Sequence, residues 1–165
     1  MQITIDNKLI ELQKRERKVG SEAPAVRVTM QSGEEKVIGM LADKVQVMIT
    51  LPKADSLSTE LLATIEKHQA KSLIYLIAST PLDKAYNPDF YSTDFVNFAM
   101  KFGVFANDEV SVKSIFIINK DGEIVYREIV GNLDDGFDIT AFDIALDEAI
   151  KFKKKGHTHE NWMSV

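Results

Sequence analysis

The chain has 165 residues, of which 45% are hydrophobic, and its formal net charge is −5 at pH 7. This length suits one domain with a substantial core and is too short for two ordinary domains, so we predict a single domain over residues 1–165. The modest acidic charge gives no electrostatic reason to bind nucleic acid, and no apolar run approaches the roughly 18 residues of a membrane helix. Residues 1–20 also lack the apolar core of a signal peptide. We therefore expect a cytoplasmic protein that contacts neither nucleic acid nor membrane.

The chain contains no cysteine. This absence excludes disulfides, zinc–thiolate sites and thiolate nucleophiles together. Any catalytic hypothesis must therefore rest on another kind of group.

Residues 1–18 are predicted to form an N-terminal β-hairpin, because apolar and polar residues alternate on both sides of a turn at Asp6-Asn7-Lys8. A second extended pair is predicted from Val26 to Met30 and from Val37 to Met40, on either side of Gln31-Ser32-Gly33.

Two apolar runs, Val45 to Leu51 and Ser72 to Ser79, predict strands that are buried on both faces. Between them, apolar residues recur at helical spacing from Leu57 to about Gln69. A strand, a helix and a second strand predict a parallel pair joined by a crossover, and hence a central sheet with helices on both sides.

Residues 81–91 are predicted to form a loop, since Pro81 and Pro88 interrupt any long helix. Its aromatic residues Phe90 and Tyr91 are candidates for an exposed interface.

A helix is predicted next, with Ser92 or Thr93 as its cap and Gly103 as its end. Its inner face consists of four apolar residues: Phe95, Phe98, Ala99 and Phe102.

Two strands, 114–118 and 123–129, are predicted to form a hairpin around the Asp-Gly turn at Asp121-Gly122. A last helix begins after a cap at Asp138 or Thr140, and buries apolar residues spaced four apart. These are Phe142, Leu146 and Ile150.

The tail from 153 to 165 is polar, and we expect it to be mobile. Its His157-Thr158-His159 pattern, followed by Glu160, could place two imidazoles on one face, but a complete metal site needs further ligands. Trp162 is expected to dock on the domain or on a partner. We predict no metal and no cofactor.

The first turn of the helix that follows Leu51 is the expected place for chemistry. Asp55 or Ser56 can cap this helix, so Thr59 lies in its first turn. Free amides and the positive dipole end of a helix stabilise negative charge there, and ligands of α/β proteins often bind at such strand-to-helix turns.

The spacing Pro52-x-x-x-Ser56-x-x-Thr59 resembles the Pro-x-x-x-Thr/Ser-x-x-Cys motif of peroxiredoxins, with Thr59 at the position of the peroxide-reducing cysteine. The chain resembles the thiol peroxidase group of that family, the atypical two-cysteine kind, over most of its length. The further matching segments are Gly20 to Pro24, Ala78 to Leu82, Phe102 to Val104 and Ile124 to Val130.

This resemblance implies an α/β, thioredoxin-like fold of peroxiredoxin type, in which helices flank a central mixed sheet and an extra N-terminal β-hairpin is added. It also implies a homodimer. By the same resemblance, Pro52, Ser56, Thr59 and Lys113 occupy the family's active-site positions, with Lys113 where an arginine is expected. The segment that carries the second, resolving cysteine in active members is shortened here.

Thr59 cannot replace the cysteine chemically. A helix terminus and a cation lower a thiol pKa of about 8.5 far enough to ionise it at neutral pH, but an alcohol starts far higher. Oxygen also cannot follow sulfur through sulfenic acid to a disulfide. We therefore predict a thiol-peroxidase-like protein without peroxidase activity, which binds or regulates instead.

Three alternatives stay open at this point. In the first alternative, the chain is an antioxidant peroxidase that acts through a non-cysteine or borrowed group, such as a metal on the tail or an external thiol. In the second alternative, a small anion binds at the helix terminus, held by Ser56, Thr59 and Lys113. We favour a pocket that contains only water. In the third alternative, the cysteines were removed by engineering. Engineering usually leaves serine or alanine, so the threonine at position 59 favours natural divergence instead.

A hydrolase that uses Thr59 with His68 as its base is disfavoured by geometry. Nine helical residues separate them by roughly 13 Å, too far for direct proton transfer. His68 is expected to pair with the last carbonyls of its helix, and Lys113 with Asp55 or another nearby carboxylate.

Overall fold

The computed structural model describes residues 2–5, 8–11, 17–51, 57–80, 86–105, 112–130 and 135–152. The elements in chain order are β1 (Gln2–Ile5), β2 (Lys8–Glu11), β3 (Ala25–Thr29), β4 (Glu35–Gly39), β5 (Val45–Leu51), α1 (Thr59–His68), β6 (Ser72–Ala78), β7 (Tyr91–Ser92), α2 (Phe95–Phe102), β8 (Lys113–Ile118), β9 (Ile124–Val130) and α3 (Ile139–Lys151).

A five-stranded mixed sheet with the order β7-β6-β5-β8-β9 forms the centre of the molecule. Strand β5 runs parallel to β6 and antiparallel to β8, as the crossover and hairpin patterns predicted. The N-terminal hairpin is confirmed as the pair β1–β2, and the second extended pair as β3–β4. The expected arrangement of a mixed sheet with helices on both faces is thus confirmed.

Two apolar layers cover the sheet, and the side chains of β5 alternate between them. Val45, Val47, Ile49 and Leu51 pack with residues of α1 and α3 on one face, while Met48 packs with α2, β3 and β4 on the other. All seven residues of β5 are buried. This double burial is why the strand reads as a continuous apolar run.

The caps of α1 and α2 differ from the sequence predictions. Ser58 caps α1, and its Oγ accepts a hydrogen bond from the Leu61 amide at 3.1 Å. Asp94 is the cap residue of α2, in place of Ser92 or Thr93. Ser92 is instead buried in β7 and donates its hydroxyl hydrogen to the Thr29 carbonyl at 2.7 Å, because a long-range partner was available.

The C-terminal end of α2 and the N-terminal end of α3 agree with the predictions. Gly103 ends α2 in the left-handed conformation with φ 74°, which glycine adopts without a steric penalty. Asp138 caps α3 by accepting from the Ala141 amide at 3.1 Å.

The predicted loop over 81–91 is wrong at its end, and so is the exposure expected for Tyr91. Pro88–Phe90 form a 3₁₀ turn, and Tyr91 begins β7 as a buried residue. Phe90 is half-buried, with its ring 5.3 Å from that of Tyr75. Tyr91 is buried because it pairs with Leu76 of β6 and so joins the edge of the central sheet.

Among the helices of the described residues, none has the length and apolarity needed to span a membrane. The tail with His157, His159 and Trp162 lies outside the described residues.

Candidate functional site

The candidate site lies at the edge of the sheet where β5 ends and α1 begins. Strand β6 starts soon after α1 ends and runs parallel to β5, so α1 must lead from the carboxyl end of β5 back towards its start. This connection puts the first turn of α1 at the edge where α/β proteins place their ligands.

Thr59 is the first residue of α1 and is exposed. The helix is anchored there by buried Leu57 and by the Ser58 cap, whose carbonyl also accepts from the Leu62 amide at 3.0 Å. The prediction that Thr59 lies in the first helical turn is confirmed. Pro52, Ser56 and Asp55 lie outside the described residues, so their roles stay predictions.

Lys113 reaches the same edge from the neighbouring strand. Ser114 is paired with Thr50 across the β5–β8 ladder, so Lys113, one residue earlier, stands beside the end of β5. Its side chain is 5% exposed. Topology therefore brings Lys113 and the start of α1 to one edge of the sheet.

The Lys113 ammonium group contacts the segment that precedes α3. Its Nζ donates to the backbone carbonyl of Asp135 and lies 5.4 Å from the centre of the Phe137 ring. Sequence reasoning expected a carboxylate partner; the Asp135 partner seen here is a main-chain oxygen. A cation held this way supports the segment leading to α3.

A pair of buried hydroxyls lies next to Lys113, and the sequence predictions missed it. Thr50 Oγ1 donates to the Val112 carbonyl at 2.8 Å and lies 2.5 Å from Ser114 Oγ. Since the Thr50 proton goes to Val112, Ser114 donates to Thr50. Both hydrogen atoms are used internally, so neither hydroxyl is activated. Polar residues inside otherwise apolar strands were the only available signal.

A second tie connects β9 to the start of α3. Glu128 accepts from the Asp138 amide at 2.9 Å and from the Tyr126 hydroxyl at 2.8 Å. Burial and the hydrogen bond to Glu128 raise the pKa of Tyr126, so its phenol stays protonated and acts as a donor. These contacts hold the edge in place without a nucleophile.

His68 lies at the opposite end of α1 from Thr59, and its predicted partner was wrong. Its buried Nε2 is 2.6 Å from Asp143 Oδ1 on α3, and Lys67 Nζ is 2.9 Å from Asp143 Oδ2. An ionised carboxylate only accepts hydrogen bonds, so Nε2–H is the donor. The hydrogen bonds from His68 and Lys67 hold the pKa of Asp143 below its usual value. The His68 imidazole is therefore occupied at a distance from Thr59, which argues against the hydrolase.

Within the described residues, no group of three or more histidine or carboxylate side chains could hold a metal ion. The described part of the edge thus offers helix amides, a threonine hydroxyl and a buried ammonium group. These groups can bind and position, but none can donate electrons to a peroxide.

Known proteins are similar to this chain in sequence and in fold. No family model matches the chain. A thiol peroxidase from Aquifex aeolicus is 27% identical over 132 residues, which are 70% of this chain and 78% of that protein.

Solved structures share the fold. A peroxiredoxin-like protein from Aquifex aeolicus superposes with a TM-score of 0.74 at 20% identity, covering 90% of this chain and 96% of its own. A thiol peroxidase from Chromobacterium violaceum gives a TM-score of 0.63 at 14% identity, covering 89% and 96%. The sheet, the flanking helices and the N-terminal hairpin together with these likenesses establish a thioredoxin-like fold of peroxiredoxin type. The chain is similar to a thiol peroxidase in sequence and shares the peroxiredoxin-type fold, and it contains no cysteine.

Proposed function

We propose that this protein is a non-catalytic thiol-peroxidase-like protein with a binding or regulatory role. The observation that carries the proposal is the exposed threonine at the start of α1, in a chain without any thiol. By the motif resemblance, Thr59 stands at the peroxidatic position, with Pro52, Ser56 and Lys113 as its companions. A neutral hydroxyl has no route through sulfenic acid, so peroxide finds no electron donor.

The contacts of Lys113 support the same proposal. Its Nζ donates to the Asp135 carbonyl, so the ammonium group helps to hold the segment that precedes α3. Lysine also lacks the two-pronged donor geometry of arginine. The position is therefore better suited to supporting the fold than to stabilising a reacting oxygen.

The direct test measures hydrogen peroxide consumption by the purified, metal-free protein with thioredoxin and its reductase. We expect a rate equal to that of the buffer. Robust turnover would contradict the proposal. If that turnover disappears with a chelator, or with substitution of His157 and His159, a borrowed metal carries it and the antioxidant-enzyme alternative replaces ours.

A reversion variant tests the position itself. Thr59→Cys with Lys113→Arg introduces one thiol, whose pKa and rate of oxidation by peroxide are measured. Thr140→Cys is the matched control, because Thr140 is also exposed and lies in the first turn of α3. Asp138 caps that helix as Ser58 caps α1. We expect a lower pKa and faster oxidation at position 59. Equal behaviour of the two thiols would show that the motif alignment is wrong.

We further propose that the protein is a cytoplasmic homodimer, as its likeness to peroxiredoxins suggests. Light scattering after size-exclusion chromatography tests the dimer, and a monomeric mass across the accessible concentration range would exclude it.

A further inference from the structure

A cavity of about 510 Å³ lies beside the C-terminal half of α1, between that helix, the start of β6 and residues 86–90. This volume is in the range of small-molecule sites. Thr59 is not among the residues that line it, because it stands at the other end of the helix. The cavity is therefore distinct from the position discussed above.

One wall of the cavity is apolar and preformed. Ile65 and Ile74 are 1% and 3% exposed, and Leu62 and Phe90 are half-buried beside them. The Phe90 ring is held by Tyr75, and Lys36 Nζ lies 4.7 Å from the ring centre. A flat apolar group could enter without rearranging this wall.

The hydroxyl groups of the lining have already used their hydrogen atoms. Ser72 Oγ donates to the His68 carbonyl at 2.7 Å, and the Tyr86 hydroxyl donates to the Ile74 carbonyl at 3.1 Å. Burial raises the pKa of Tyr86, so that its proton is retained. Each oxygen keeps lone pairs, so both can only accept from a ligand.

Glu66 is the charged residue of the lining, and an ionised carboxylate also only accepts. Among the described residues, none forms a hydrogen bond or an ion pair with its side chain. The exposed side-chain amides of Gln69 and Asn87 complete the rim, and they can both donate and accept hydrogen bonds. The cavity thus combines an apolar wall with an excess of acceptors and one negative charge.

We propose that this cavity binds a small organic amine, with its apolar body against the half-buried side chains of Leu62 and Phe90 and its ammonium group at Glu66. An ammonium group supplies several donors and a positive charge, which match the acceptors and the carboxylate. A carboxylate group in the place of the ammonium group would be repelled by the Glu66 charge and would donate no hydrogen bond. The inference does not rest on the proposed loss of peroxidase activity.

The test is an NMR titration of the full-length protein with two probes of similar size, tryptamine and 3-indolepropionate, at neutral pH. We expect saturable shifts from tryptamine at Leu62, Ile65 and Ile74, and binding at least about tenfold weaker for the carboxylate, a difference near 1.4 kcal/mol.

Two variants locate the site. Glu66 is exposed, so Glu66→Gln should weaken tryptamine binding by up to about fivefold, the upper end for a surface ion pair. Glu60→Gln, on the same helix but outside the lining, is the matched control and should change nothing. Leu62→Trp should fill the cavity and abolish the shifts.

Equal affinity for the two probes would overturn the proposal, as would an unchanged affinity in Glu66→Gln or shifts centred on Thr59. None of these outcomes bears on peroxide consumption, which is assayed separately.

Discussion

The two ends of α1 differ in what holds them together. At its start, the backbone dominates: Ser58 caps the helix and Thr59 projects outwards into solvent. At its end, side chains dominate, because buried His68 and exposed Lys67 both reach one carboxylate on α3. The first end is the one that we propose as the former reactive position, from the motif resemblance, and the second lies outside that motif.

This difference separates the features of the edge that follow from topology from those that depend on a single side chain. A strand that ends beside a helix start still delivers amides and a nearby cation to one edge, since those features follow from topology. A reactive group at the start of a helix belongs to one exposed side chain, so its replacement does not disturb the helix. The His68–Asp143 contact, by contrast, links two helices, so its loss should affect the fold.

The largest expected effect is therefore at the C-terminal end of α1. Asp143→Ala leaves the buried His68 N–H without its acceptor, and we predict a loss of about 1–3 kcal/mol in the free energy of unfolding. Urea denaturation measures it. Asp147→Asn, which removes a surface pair with Lys151, is the control and should cost less. An Asp143 variant as stable as the wild type would erase the contrast between the two ends.

The next effect concerns the cap at the other end. Ser58→Ala removes the acceptor of the Leu61 amide, and we predict a cost of about 1 kcal/mol. Asp138→Ala removes the corresponding cap of α3 and should cost a similar amount, as measured by thermal or urea unfolding. A much larger effect of Ser58 alone would mean that the start of α1 depends on more than its backbone.

The pH dependence sharpens the comparison further. The pKa of Asp143 is lower in the folded protein than its ordinary value of 3.8, so the unfolded chain binds more protons in this range. The stabilisation is present above the unfolded pKa and is lost as the pH falls through the folded pKa. We predict that the free energy of unfolding falls more steeply below about pH 4 in the wild type than in Asp143→Asn. Parallel curves would show that His68 and Lys67 do not act through this carboxylate.

The smallest effect is expected at Thr59 itself. Thr59→Ala changes an exposed side chain, and we predict a change in unfolding free energy within about 0.5 kcal/mol. Thr140→Ala is the matched control on α3. A loss well beyond this range would assign Thr59 a structural role and would weaken its interpretation as the remnant of a reactive position.

Local patterns predicted most of the elements. The apolar run of β5 was assigned to its last residue, Gly103 was correctly placed at a helix end, and Asp138 was one of the two caps predicted for α3. These features depend on hydrogen bonds and side-chain periodicity within a few residues, which the sequence displays directly. The single domain, Pro52 and Ser56 stay predictions.

The errors share a different origin. Ser92 and Tyr91 were assigned to a cap and a loop, but pairing with β6 buried both. His68 pairs with a carboxylate 75 residues away in the chain. Such choices are made when elements dock, because a buried polar group takes whichever partner the packing brings within reach.

The sequence by itself determined that the chain has no thiol nucleophile, that Thr59 lies in the first turn of a helix after a buried strand, and that the chain resembles the peroxiredoxin pattern. These conclusions need only composition, spacing and periodicity. The tertiary structure alone decided that His68 and Lys67 pair with Asp143 at the end of α1, that Lys113 donates to the Asp135 carbonyl, and that a cavity rich in acceptors lies beside Glu66. Distances between residues far apart in the chain exist only after the helices and strands have packed.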